Sequence, residues 1–402
     1  MRFHLAATSL LFLCAGAAAL AQYPPAALTC ADLHLVPAPR ECDGVEVQPV
    51  TAGVRIKAFL GRDQQLNLSG PIAPGNLEEI LKEEPISNAE SDANAFTAKD
   101  LSRALAESGV KEDANANRIS IIFCSPKDSF AKGLLAGKKL FFDPQMHDEG
   151  YIIAPFGNLL FVIAETSTGL FYGAQTIKQL IRGSGKDAVL LVPTIRDWPA
   201  MPHRGLSDDW SRGPLPTMDF LKREIRTLAA YKYNIFSPYF EHTFAYDSSP
   251  VAAFPGGAMT PDEARELVAY AAQYHITIIP EQESFGHLHH LLKFEQFSPM
   301  GETPHGAVLA PGDAATLPLI SSWFSELAKV FPGPYAHIGA DETFELGLGR
   351  TRDRVKQQGL GAVYLDFLTQ IHNTLEPNHK RLIFWGDVAV NSPELVGTLP
   401  RT

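Results

Sequence analysis

Residues 260–283 read TPDEARELVAYAAQYHITIIPEQE. Thr260 is suited to cap a helix, Pro261 fills the first helical position, where an N–H has no partner anyway, and Glu263 completes a capping box. The helix predicted from this start reaches His275 and gives way at once to ITIIP, a short buried-strand run. The same alternation extends in both directions. HRGLSDDW (203–210) reads as a strand, TMDFLKREIRTLAAYKY (217–233) as a helix and NIFSPYF (234–240) as a strand. After ITIIP come the helix AATLPLISSWFSELAKVF (314–331), the strand YAHIGAD (335–341), the helix AVYLDFLTQIHNTLE (362–376) and the strand RLIFWGD (381–387). Repeated βα units imply a parallel sheet, and the predicted fold class is α/β, a (β/α)8 TIM-type barrel. One unit takes about 45 residues, so eight would run roughly 150 residues past Thr402. About five of eight strands are therefore expected, an incomplete barrel, with an open sheet as the alternative.

The region before this series has another character. VEVQPVTAGVRIKAFL (45–60), NRISIIFCS (117–125), EGYIIAP (149–155) and NLLFVIAE (158–165) are β-rich runs. TAKDLSRALAESG (97–109) and STGLFYGAQTIKQLIRG (167–183) carry helical spacing between and after them. A small α+β domain over 22–196 is predicted, with VPTIRDWPAMPHR (192–204) and its three prolines as the linker to a catalytic barrel over 197–402. Residues 1–21 have Arg2, an apolar stretch from Leu5 to Ala18 and a closing Ala19-Leu20-Ala21. They read as a signal peptide cleaved after Ala21, so a secreted or periplasmic product is expected, without a membrane anchor. An oxidising compartment would allow Cys30 and Cys42 to pair, whereas Cys124 in SIIFC reads as an inert buried thiol. The chain is 45% hydrophobic with a net charge of −11, which suits a globular protein and disfavours a nucleic-acid binder, since that needs a basic face.

Barrel sites gather where strands end. Those ends bring Arg204, Asp208 and Asp209, then Tyr239, Glu241 and His242, then Glu281, Glu283 and His287, then His337, Asp341 and Glu342, then Trp385 and Asp387. Carboxylates, an arginine and an indole suit a neutral sugar, because the acids and the cation hydrogen-bond hydroxyls while the indole packs on the ring. Asp341 and Glu342 are neighbours. Two such carboxylates have Cα atoms about 3.8 Å apart and rarely flank a glycosidic bond from opposite sides in the usual retaining way, ~5–5.5 Å apart. They read instead as a proton donor with a helper. GHLHH (286–290) raises a metal-dependent hydrolase as a rival, although its histidines open a helix and face different ways. No CxxC or Cys/His spacing suggests zinc, and no metal or cofactor is expected.

The segment HIGADE (337–342) resembles the His-x-Gly-Gly-Asp-Glu signature of the glycoside hydrolase family 20 β-N-acetylhexosaminidases. IPEQESFGH (279–287) is similar to that family's strand-three segment, Arg204-Gly205 to its strand-one motif, and LHLVPAPRE (33–41) and GLFYGAQTIKQLI (169–181) to its N-terminal domain. The resemblance implies a retaining enzyme in which the substrate's 2-acetamido oxygen is the nucleophile. It implies Glu342 as general acid/base and Asp341 as the residue that orients the acetamido group. Arg204 would hold sugar hydroxyls, Glu283 and His287 would support the acid pair, and Trp385 would wall the acetamido methyl. Glu241, His242, His337 and Asp387 complete the expected sugar-binding set, for an N-acetylhexosamine-containing glycan. Ala340 stands where the family favours Gly, Glu283 replaces an Asp, Phe285 a Pro, and YFEHTF (239–244) ends strand two in a divergent form. The family's strands six to eight supply further tryptophans and a tyrosine. A non-catalytic sugar-binding protein is the alternative.

Overall fold

The computed structural model describes residues 28–58, 88–113, 119–387, 390 and 393–399. The expected signal peptide lies outside them. The first of two sheets contains β1 (Glu41–Pro49), β2 (Arg55–Ala58), β3 (Ser120–Cys124), β4 (Tyr151–Phe156), β5 (Leu159–Ala164) and β7 (Val189–Asp197), in the order β1-β7-β4-β5-β3-β2, with the two-residue β6 (Ile181–Arg182) beside β7. The β2–β3 and β3–β5 pairs are parallel and the others antiparallel. Helices α1 (Asn88–Glu107) and α3 (Ser167–Leu180) pack together, and α3 carries a nearly continuous buried face from Gly169 to Ile177. On the sheet's other face, α2 (Ser129–Lys138) buries Phe130, Leu134 and Leu135 against Ile122, Phe161 and Ile163. Cys30 and Cys42 form a disulfide, and Cys124 is buried and free.

Two elements depart from the sequence reading. The first half of the expected linker is β7, paired with β1 along its length. Pro193, which cannot donate to a ladder, pairs with Val45 where the register of β1 shifts between Asp43 and Val45; bulges are where strands accommodate proline. The segment SFAKGLLAGK was not expected as a helix. It becomes α2 because Asp128 caps it, accepting from the N–H groups of Phe130 and Ala131, and its apolar residues find the sheet.

The second sheet holds β8 (Gly205–Asp209), β9 (Ile235–Phe240), β10 (Thr277–Ile278), β11 (Glu281–Gln282), β12 (Tyr335–His337) and β13 (Arg381–Ile383), all parallel. β10 and β11 are two pieces of one strand position, both beside β9. The positions then run one to five in chain order. A doubly wound sheet reverses its strand order; an order that never reverses keeps every right-handed crossover on one face, as a barrel does. Helices α4 (Met218–Ala230), α5 (Pro261–Gln273), α7 (Thr316–Val330) and α9 (Leu360–Leu375) form that outer layer; the one-turn α6 (His289–Leu292) and the short α8 (Arg352–Gln358) belong to the loops. The capping box at Thr260 and Glu263 forms as expected. Among the described residues β8 and β13 do not pair with each other, so the barrel is an open five-position arc. No described helix is long and apolar enough to cross a membrane.

The first sheet's layer meets the arc at its lower rim, where the strands begin. Arg204 binds Glu149 through both guanidinium nitrogens (2.8 and 3.1 Å) and donates to the Lys232 carbonyl and the Tyr172 hydroxyl. Lys232, buried, donates to Asp197 and Tyr151. Phe171 of α3 packs on Tyr274 and His275 at the end of α5.

Candidate active site

The upper rim gathers titratable side chains from all five strand positions. β8 ends at Asp209, which accepts from the Ser211 N–H and from Arg212 Nη1 (2.7 Å). Arg212 then reaches across to Glu241 Oε1 (3.0 Å) and His287 Nδ1 (3.3 Å), its guanidinium over the ring of Tyr239. Tyr239, on β9, donates to the same Glu241 oxygen at 2.8 Å. Glu241 is thus pinned by a cation and a phenol, facing the next strand.

From β11 the chain continues through Glu283, fully buried, into a turn at Gly286. A Cβ on Gly286 would collide with the Asp341 carbonyl oxygen, so only glycine lets these two strand ends approach. The turn delivers His287. With Nδ1 taking the Arg212 donor, Nε2 faces Asp341 Oδ2 (3.5 Å) and Glu342 Oε2 (3.4 Å).

After β12 the backbone is left-handed at Gly339, Ala340 and Glu342, with φ of 65°, 72° and 45°. Such a run is costly for residues with side chains and persists where the surroundings fix it. Here the Ala340 N–H donates to Glu283 Oε2 (3.1 Å), the Ala340 carbonyl accepts from Tyr364 (2.8 Å), and the Glu342 N–H donates to Asp387 Oδ2 (3.2 Å). The kinked backbone sends the two neighbouring carboxylates apart. Asp341 turns inward to His287 and Glu283, whereas the Glu342 side chain remains 54% exposed.

Asp341 and Glu283 hydrogen-bond each other, which requires one carboxyl to hold a proton. Burial, then the contact with Asp341, pushes Glu283 well above the usual carboxylate range. Burial would raise Asp341 too, but hydrogen bonds from His287 and Glu283 outweigh it and hold that carboxyl low. Asp341 is the anion and Glu283 the neutral donor. The hydrogen bond to Asp341 in turn raises His287, against the opposing effect of its burial.

Most of the expected site residues converge here: Glu241, Glu283, His287, Asp341, Glu342 and Asp387 at the rim, with Trp385, 40% exposed, beside them, its N–H on the Gly339 carbonyl. His337 lies lower, beneath the Trp385 ring at 5.0 Å between centroids. His242 is one layer out, stacked on His290 at 4.3 Å and against Phe254. Arg204 is a correction. It precedes β8 and stands at the rim opposite the carboxylates, bound to Glu149, so it cannot reach a sugar held at Asp341. The arginine at the mouth is Arg212, in the Ser-Arg-Gly-Pro loop after the strand, where no periodicity marked it. The GHLHH histidines diverge: His287 faces the carboxylates, His289 is exposed and His290 stacks on His242. Among the described residues no three ligand-type side chains converge as a metal site.

Comparison with known proteins gives the family. Residues 76–198 match the model for glycosyl hydrolase family 20, domain 2, and residues 237–399 that for the family's catalytic domain. The chain is 28% identical over 282 residues to a β-hexosaminidase of Porphyromonas gingivalis (60% of this chain, 36% of the relative). It is 30% identical over 224 residues to a β-N-acetylhexosaminidase of Cellulomonas fimi (50% and 45%). It therefore spans less than half the length of either. Among solved structures, the β-N-acetylhexosaminidase of Streptomyces coelicolor superposes with a TM-score of 0.65 at 20% identity, covering 91% of this chain and 67% of that one. A mutant β-hexosaminidase of Streptomyces plicatus, in complex with its product GlcNAc, superposes with a TM-score of 0.66 at 23% identity, covering 94% and 68%. The chain belongs to glycosyl hydrolase family 20, with the family's domain 2 set ahead of a sheet from its catalytic domain.

Proposed function

We propose that this site is that of an exported, exo-acting β-N-acetylhexosaminidase, which removes terminal β-linked GlcNAc or GalNAc with retention of configuration. The observation that carries the reading is the divergence of Asp341 and Glu342: one carboxylate anchored inward and anionic, the next outward and accessible. In the first step the acetamido oxygen bonds to the anomeric carbon as the glycosidic C–O bond breaks, and Glu342 gives its proton to the leaving oxygen. Asp341 orients the acetamido group and balances the positive charge of the oxazolinium ring. In the second step Glu342 takes a proton from water as the water oxygen opens that ring, restoring the β-hemiacetal and the protonated acid. Arg212 and Glu241, bound to each other at the edge of the mouth, supply donors and acceptors for sugar hydroxyls, and Trp385 walls the acetamido methyl. The Cys30–Cys42 disulfide supports export through residues 1–21, because such bonds persist in oxidising compartments.

The test is release of a chromogenic aglycone from β-GlcNAc and β-GalNAc by the full chain. Turnover that falls about 10²–10⁴-fold in Glu342→Gln, the usual contribution of a general acid, supports the proposal. Sugar binding without turnover in the parent chain would instead make this a lectin-like protein.

A further inference from the structure

Beneath the rim lies a carboxyl that neither step uses. Glu281, on β11, is 1% exposed and meets side chains from three other strand positions of the arc. Its Oε2 accepts from Ser207 of β8 (3.0 Å) and lies 3.5 Å from Ser237 of β9, whose hydroxyl donates more closely to the Ile279 carbonyl (3.0 Å). Its Oε1 faces His337 Nδ1 of β12 at 3.4 Å, and the His337 ring lies against the Trp385 indole, just past β13, at 5.0 Å between centroids.

The protons can be placed by counting donors. The Gly339 N–H donates to His337 Nδ1 at 3.1 Å, so that nitrogen presents its lone pair and the ring proton is on Nε2. Burial pushes His337 down to about 4, so the ring is neutral at pH 7. An ionised Oε1 would then be an acceptor facing a lone pair, and Oε1 has no other hydrogen-bond partner. A proton on Oε1 turns that repulsion into a hydrogen bond that shares the Nδ1 lone pair with the Gly339 N–H, and gives Oε1 a partner. Burial, opposed by the Ser207 hydrogen bond and aided by the nearby Asp341 charge, raises Glu281 to about 7, in the same direction.

We propose that Glu281 is a positioning residue, a neutral carboxylic acid that turns its proton toward His337 and, through that ring, holds the Trp385 indole in place as a wall of the sugar pocket. The titratable groups that face it are His337 and Asp341 from the β12 side and Glu283 from its own strand; β8 and β9 present serines, and β13 the indole. With Glu281 and Glu283 neutral, Asp341 is the anion in the pocket floor. The proposal rests on the hexosaminidase reading only for what Trp385 touches.

Glutamine reproduces a neutral carboxylic acid, with one acceptor oxygen and an N–H in place of the O–H; leucine reproduces only its bulk. In the full chain, Glu281→Gln is expected to keep GlcNAc affinity within twofold by calorimetry and to leave acrylamide quenching of tryptophan fluorescence unchanged. Glu281→Leu is expected to weaken GlcNAc at least tenfold and to increase quenching. A second readout needs no sugar. An acid whose folded pKa exceeds its unfolded value stabilises the fold below the unfolded pKa and loses that contribution as pH rises through the folded one. The melting temperature of the parent chain should therefore fall relative to Glu281→Gln between pH 5 and pH 8. A Gln variant as impaired as the Leu variant, or a melting difference that stays flat with pH, overturns the neutral acid. A Leu variant that binds GlcNAc normally overturns the positioning role. If no variant, nor the parent, binds GlcNAc, the proposed function fails while the melting difference still reports the Glu281 proton.

Discussion

Gly339→Ala tests the turn that parts the two carboxylates. Gly339 has φ of +65°, and a Cβ built there would land on the carboxyl group of Glu283. The backbone conformation alone costs an L-residue about 1–2 kcal/mol. The buried Glu283 carboxyl would also have to give up the Ala340 N–H and the hydrogen bond to Asp341, at about 1–3 kcal/mol for each buried group left unpaired. The expected loss is thus roughly 3–8 kcal/mol, a large part of the ~5–15 kcal/mol that stabilises a typical domain. Gly157→Ala is the internal control: Gly157 lies between β4 and β5 with φ of +58°, and its Cβ would meet nothing within 4 Å. It should lose only the backbone cost, about 1–2 kcal/mol. Urea unfolding of the parent and both variants, compared at equal m-values, reads the difference. Equal losses would refute the reasoning, because they would mean that Glu283 moves aside freely and is not fixed by Ala340 and Asp341.

Three further outcomes follow from the same structure. Replacing Cys30 and Cys42 by serine opens a loop with a sequence separation of 12 and should cost about 3 kcal/mol in urea unfolding; an unchanged midpoint would place the restraint elsewhere. Glu302 is buried and accepts from the N–H groups of Gly347, Gly349 and Thr351 and from the Thr351 hydroxyl, tying down the loop that follows Glu342. Glu302→Ala should destabilise by about 2–4 kcal/mol in thermal unfolding, and Glu302→Gln by clearly less; equal losses would show that the hydrogen bonds do not matter. The hydrogen bond to Asp341 raises His287, so its attraction for that carboxylate is complete below the ordinary histidine pKa and fades as pH rises through the higher folded value. A proton NMR titration should place the His287 midpoint above 6.5, and Asp341→Asn should lower it; no response to that substitution would separate the two groups.

The barrel-type sheet was legible because every unit announced itself twice, by an amphipathic helix and by a short apolar strand after it, and the capping box at Thr260 marked one helix start outright. The first sheet was less so. Three prolines disguised the end of β7, and the bulge that accommodates Pro193 depends on a partner strand about 150 residues away. The two glycines of SFAKGLLAGK lower helix propensity, and tertiary burial overrides them. At the site, adjacent charged residues showed which strand ends mattered but not which end of a strand a residue occupies. Arg204 and Arg212 lie on either side of the five residues of β8, and only the strand direction separates the lower rim from the mouth. Nor could the sequence tell rim from floor: Glu281 and Glu283 differ by two positions, yet one meets the serines of β8 and β9 and the other meets Asp341.

The Arg204–Glu149 and Lys232–Asp197 pairs sit at the far rim from Asp341 and Glu342, where the two sheets' layers join. Damage there would reach the yield of folded molecules before it reached the chemistry of any one of them. A variant library scored on culture activity would rank Arg204 with the residues of the mouth. On the proposed function, dividing each signal by the amount of folded protein would separate them, leaving Arg204 variants scarce but fully competent and Glu342 variants plentiful but inert.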